Sequence, residues 1–151
     1  NLPFEEEGVQ VQSIMEVQDC FAAGEKYRLL SVKMQPLGEI VKCPLLLLER
    51  ASNSRSFAEQ YFLRNGVDAV PDFELGNMDL LVSFAKHDMG IAWVTRNFYE
   101  DEFATGRLYE IKPIERIPKR HIGVARLKDA PLSIASRELI SLLNDNKHTE
   151  F

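Results

Sequence analysis

The sequence predicts an α/β fold built on a mainly parallel sheet. Short apolar runs of strand length alternate with segments whose apolar residues recur at helical spacing. The same strand, turn and helix unit occurs twice in succession, and parallel neighbours need crossover helices at just those places.

Taken in order, Val9-Gln10-Val11-Gln12 alternates apolar and polar residues, the period of a half-buried strand, and Ile14 to Val17 extends it or starts another. Cys20 to Ala23 is a short apolar stretch that stops at Gly24, and Glu25 to Leu30 has room for one or two helical turns. Pro44 opens the most apolar run, Leu45-Leu46-Leu47-Leu48, which reads as a strand covered on both faces. Ala51-Ser52-Asn53-Ser54 breaks that run and offers capping side chains. From Arg55 to Arg64, Phe57, Ala58, Tyr61 and Phe62 fall on one helix face, and Asn65-Gly66 is a stop. The unit then repeats: Phe73-Glu74-Leu75 as strand, Gly76-Asn77 as break, and Met78 to Asp88 as a helix facing inward through Leu80, Leu81, Phe84 and Ala85. Met89-Gly90 ends it, Ile91 to Val94 is a strand, and Phe98 to Ala104 is a short helix stopped at Gly106. Leu108 to Ile111 and His121 to Ala125 are further strands around a loop from Pro113 to Pro118. Ser133 to Leu143 is the last helix, with Ala135, Leu139, Ile140 and Leu143 inward, before a polar tail from Asn144 to Phe151.

Composition narrows the function. The net charge is -5, and phosphate backbones demand clustered Lys and Arg, so these residues are not expected to contact DNA. Lys119-Arg120-His121 is the longest basic cluster and reads as a solvated loop. Two cysteines, Cys20 and Cys43, and three scattered histidines offer no metal spacing; buried free thiols fit a reducing compartment, and a cytoplasmic location is expected. No apolar run approaches the ~20 residues of a spanning helix, and no signal peptide is visible. There is no nucleophile elbow, Cys/His pair, P-loop or dinucleotide fingerprint, so neither catalysis nor a cofactor is expected. Glu5-Glu6-Glu7 and Glu100-Asp101-Glu102 read as solvated faces.

From Pro44 to Leu143 the chain resembles the effector-binding domain of LysR-type transcription regulators. The segments that carry this are Pro44 to Arg55, Glu74-Leu75-Gly76-Asn77-Met78-Asp79-Leu80-Leu81 and Gly90-Ile91-Ala92-Trp93-Val94-Thr95, in that order and spacing; Leu127 to Ser133 is similar to the family's closing segment. The resemblance implies a two-lobed fold of the type 2 periplasmic-binding-protein kind. By it, residues 1–20 end the first subdomain, residues 21–120 form the second, and residues 121–151 return to the first with the C-terminal helix. It also implies a winged helix-turn-helix, a linker helix and the opening half of the first subdomain ahead of Asn1, so that the chain reads as an N-terminally truncated piece.

On this reading the function is to sense a small, anionic metabolite and so control DNA binding by the absent domain. Ser52, Asn53 and Ser54, Gly76, Asn77 and Met78, and Val94 and Thr95 are the candidate ligand-binding residues. The two turns open helices, whose unpaired N–H groups and dipoles suit a carboxylate or other oxyanion, while a hydroxyl at a strand's end can reach a crevice. Arg55, in the first helical turn, is the candidate for assisting an anion; plain capping, with Arg55 paired to Glu59, is the competing reading. Phe57, Tyr61 and Phe62 are expected to supply a subunit contact in a dimer or tetramer. Two alternatives remain: a transporter's solute-binding protein of the same fold, and an enzyme such as a dehydratase on that fold.

Overall fold

The computed structural model describes residues 6–145, so the readings that fall on residues 1–5 and 146–151 lie outside the described residues. The chain divides into two compact units, Asn1–Val17 with Lys119–Phe151, and the continuous insert Gln18–Pro118.

The first unit pairs β1 (Val9–Val17) antiparallel with β7 (Arg120–Leu127), from Val9 opposite Leu127 to Val17 opposite Arg120, with an irregularity between Ser13 and Met15. Helix α5 (Ile134–Asp145) follows. Its expected inner face is only partly realised: Ile140 and Leu143 are half-buried, but Ala135 and Leu139 are exposed. A two-stranded ribbon presents too little surface to bury a whole helix face.

The second unit is built on a five-stranded sheet in the order β4-β3-β5-β2-β6. Its strands are β2 (Asp19–Ala23), β3 (Leu45–Leu48), β4 (Phe73–Leu75), β5 (Ile91–Thr95) and β6 (Tyr109–Ile111). Between them run α1 (Leu37–Ile40), α2 (Asn53–Arg64), α3 (Met78–Lys86) and α4 (Glu100–Ala104), with 3-10 turns at Glu25–Ser31 and Arg96–Phe98. Strands β4, β3 and β5 are parallel, as expected of strands joined by crossover helices. Strand β2 lies between β5 and β6, antiparallel to both, so the sheet is mixed.

The continuous apolar runs follow from the layers. Successive residues of a strand point to opposite faces, and here both faces are covered. Phe21, Ala23, Leu45, Leu47, Ile91 and Trp93 meet Ala58, Tyr61 and Phe62 of α2 on one side. Cys20, Ala22, Leu46, Ala92 and Val94 meet Leu81, Val82 and Ala85 of α3 on the other. Helix α3 is therefore turned by about one residue from the expected face: Val82 is buried and Leu80 is exposed.

Gly66 ends α2 in the left-handed conformation that the stop signal requires, with φ +68°. Gly90 has a different task. A Cβ there would lie 2.4 Å from the Pro44 carbonyl oxygen, so only glycine lets the start of β5 pass this close to the start of β3. The left-handed residue after α3 is Asp88 instead, with φ 61°. Cys20 is buried and burial raises its thiol pKa well above the usual range, whereas Cys43 is half-buried; both thiols are free.

Candidate functional site

Parallel β3, β4 and β5 all finish at the same end of the sheet, with Leu48 opposite Leu75 and Leu46 opposite Ala92. The turn before α2, the turn before α3 and the last residue of β5 therefore emerge together, and two helix N-termini open at that end. Because β2 runs the other way, its first residue, Asp19, is also delivered there, directly opposite Thr95.

Both helices are capped by their own turn residues. The Ser52 hydroxyl accepts from the Arg55 N–H at 3.0 Å, and Asn77 Oδ1 accepts from the Leu80 N–H at 2.8 Å. Capping leaves the Ser52 hydroxyl proton and the Asn77 amide N–H groups available as donors. Asn53 is the exposed first residue of α2. Ser54 is different: it is 8 % exposed, and its Oγ is buried with no hydrogen-bond partner among the described residues. A buried hydroxyl without a partner costs free energy until something supplies one. Gly76 is exposed, and an added Cβ would meet nothing within 4 Å, so its backbone can be approached closely.

Thr95 is buried and donates to Asp19 Oδ1 at 2.8 Å. Asp19 is itself 1 % exposed, which makes this the most deeply placed carboxylate at that end of the sheet. Met78 is half-buried against the α3 face of the core. On the solvent side, Tyr99 donates to Asp79 Oδ1 at 2.7 Å, and burial together with that carboxylate pushes the phenol pKa up.

Several of the residues marked from the sequence sit deeper in the structure than that reading expected. Arg55 is turned into the protein. Its side chain is 2 % exposed, its Nε donates to Glu59 Oε1 at 2.8 Å, and its guanidinium also engages the Leu48 carbonyl oxygen and Glu74 Oε1. Two carboxylates and a carbonyl already engage three of its five N–H donors. Val94 is fully buried in the core beside α3, because strand alternation turns its side chain away from the face of Trp93 and into that layer. Tyr61 and Phe62 are 3 % and 2 % exposed and pack on Trp93, so they belong to this unit's core and not to its surface. Phe57 is half-buried against the same ring.

A pocket of about 610 Å³ lies along α2 and the segment after it, between Arg50, Arg55, Glu59, Leu63, Val67 and Val70. Its lining includes Arg50 and Arg55, which flank the first turn in the chain; the Arg55 guanidinium is held by Glu59 and Glu74, and Arg50 Nε lies 3.9 Å from Glu74 Oε1. The residues that the sequence did not mark are Asp19, Gln18 and Asn97. None sits in a motif, and Asp19 meets Thr95 across 76 positions of chain. Among the described residues no group of three or more His, Cys, Asp or Glu is placed to hold a metal ion, and no helix is long and apolar enough to cross a membrane.

A sheet whose parallel strands end in helix N-termini at one side is a ligand-binding α/β architecture. The chain belongs to the LysR substrate binding domain family, whose model matches residues 1–147. In fold it is similar to the regulatory domain of CcmR from Synechocystis PCC6803, solved in complex with 2-PG: TM-score 0.83, 22% identity, 98% of this chain and 71% of that one. It is also similar to the effector-binding domain of QuiR in complex with shikimate, with TM-score 0.78 and 16% identity over 96% of this chain and 69% of that one. The HTH-type transcriptional regulator YeiE of Escherichia coli strain K12 is 28% identical over 82 residues, which cover 54% of this chain and 28% of that protein. The family match sets aside the transporter alternative.

Proposed function

We propose that this chain senses a small metabolite for a LysR-type transcription regulator and binds it at the C-terminal end of β3, β4 and β5. The observation that carries the reading is the convergence there of two helix N-termini with Ser52, Asn53, Ser54, Gly76, Asn77, Met78 and Thr95. The unpartnered Ser54 hydroxyl supports it further. With Arg55 withdrawn, an oxyanion would be held by neutral donors and helix dipoles. CcmR and QuiR, bound to 2-PG and shikimate, support a small polar effector. Binding would act by favouring one of two arrangements of the regulator, which requires different affinity for the two. DNA contact would belong to another part of the protein, since this chain is acidic. On the same reading the regulator works in the cytoplasm, without catalysis or cofactor, and the two compact units correspond to subdomains I and II of the effector domain.

The test is calorimetric titration of the intact regulator with shikimate, 2-PG and related small carboxylates. Ser52, not Ser54, caps α2, so Ser54→Ala removes a ligand contact without removing a cap. It is expected to weaken binding by ~0.5–1.5 kcal/mol, or ~1.5–3 if the partner is charged. Asn77→Asp keeps the cap acceptor but replaces its amide donor with a carboxylate oxygen, and should weaken an anion at least as much. If both variants bind as the parent does, the site is elsewhere.

The regulator would also self-associate. With Tyr61 and Phe62 in the core, the surface that α2 offers is Leu63, which is 79% exposed, beside Val70, 74% exposed, and the edge strand β4. Replacing Leu63 with Asp is expected to shift sedimentation of the intact protein toward the monomer. An unchanged sedimentation profile would remove this face from the interface.

A further inference from the structure

We propose that Gln18 and Asn97 are positioning residues, a clasp that ties the end of β5 to both places where the chain passes between the two units. The chain enters the inserted unit at Gln18 and leaves it at Pro118. The main-chain N–H of Gln18 donates to Asn97 Oδ1 at 2.8 Å, and the Gln18 carbonyl oxygen accepts from the Arg96 N–H at 2.8 Å. Its side-chain amide donates to the Asp19 carbonyl oxygen at 2.9 Å and to the Ile117 carbonyl oxygen at 3.3 Å. Both amide orientations are dictated by their partners: an N–H can only donate and a carbonyl can only accept, so Asn97 must present its oxygen and Gln18 its nitrogen.

One residue therefore holds the entering segment, the leaving segment and the 3-10 turn Arg96–Phe98. That turn begins directly after Thr95, which is bonded in turn to Asp19. A displacement of Thr95 cannot relax inside the turn without drawing on Gln18, and through Gln18 on both passages. A contact chain of this kind carries coupling only if its members move together, which makes cooperative opening the property to measure. The inference rests on the effector reading in one respect: Thr95 is the contact through which a ligand would act on the clasp.

The experiment uses Asn97→Ala, which removes the acceptor, and Asn97→Asp, which keeps one. Hydrogen–deuterium exchange on this chain should show Asn97→Ala raising exchange by about tenfold at Gln18 and, together with it, in the segment 114–121, while Leu45–Leu47 stay protected. Asn97→Asp should restore both. A rise confined to residues 96–99, or a rise at Gln18 with segment 114–121 unchanged, overturns the clasp. A general loss of protection that includes β3 shows a merely structural role and overturns it as well. In the intact regulator without added ligand, Asn97→Ala should shift affinity for its DNA about threefold or more, and Asn97→Asp should recover it. An unchanged DNA affinity overturns the coupling. Neither measurement needs an effector, so failure of the clasp is separate from failure of the ligand site, which the Ser54→Ala and Asn77→Asp titrations report.

Discussion

Replacing Trp93 with alanine is expected to lower the unfolding free energy by ~3–5 kcal/mol, the range for emptying a large buried aromatic site. The ring is 2 % exposed at the middle of β5. It stands edge-on to Phe21 at 5.1 Å between centroids, and Tyr61 and Phe62 lie at 5.4 and 5.9 Å. Loss of the indole therefore removes the central ring of the cluster that joins β2, β5 and α2. Urea unfolding followed by far-ultraviolet circular dichroism measures the change, because the chain's single tryptophan is gone. Trp93→Phe should cost much less. It leaves a smaller gap, and it also removes the indole N–H, which is buried without a partner among the described residues; such an orphan donor costs ~1–3 kcal/mol in the native state. A loss below ~1 kcal/mol for the alanine variant would mean that the aromatic cluster does not organise this unit.

Arg55→Ala is expected to destabilise by ~2–3 kcal/mol while leaving ligand affinity within about twofold. The two ion pairs contribute little of that sum. The side chains of Glu59 and Glu74 are 51% and 39% exposed, so both carboxylates recover water when the guanidinium leaves. The larger losses are the charged hydrogen bond to the Leu48 carbonyl oxygen and the packing of a long buried stem. Arg55→Lys should rescue poorly, since one ammonium cannot span the fork that reaches Glu59, Leu48 and Glu74. Thermal unfolding and titration of the same variant separate the two roles. A stable protein that loses an anionic ligand would reinstate Arg55 in the binding site.

The order of strands and helices, the two capped turns and the stop at Gly66 were determined locally. Each depends on residues a few positions apart: Ser52 with Arg55, Asn77 with Leu80, and the apolar spacing of α2. The candidate site was legible to the same extent, because a strand followed by a capped helix already says where an N-terminus opens. What the tertiary structure alone decided concerns direction and distance. Strand β2 carries no mark that it runs against β5, since an apolar run reads alike in either sense. The pairing of Arg55 with Glu59 is open to reading from their spacing, but its second carboxylate, Glu74, arrives only because β4 lies beside β3. Tyr61 and Phe62 look like surplus surface until Trp93, from a strand thirty positions on, covers them. Asp19, Gln18 and Asn97 gain their meaning only from partners dozens of residues away, because hydrogen bonds between distant segments leave no periodicity in the chain that makes them.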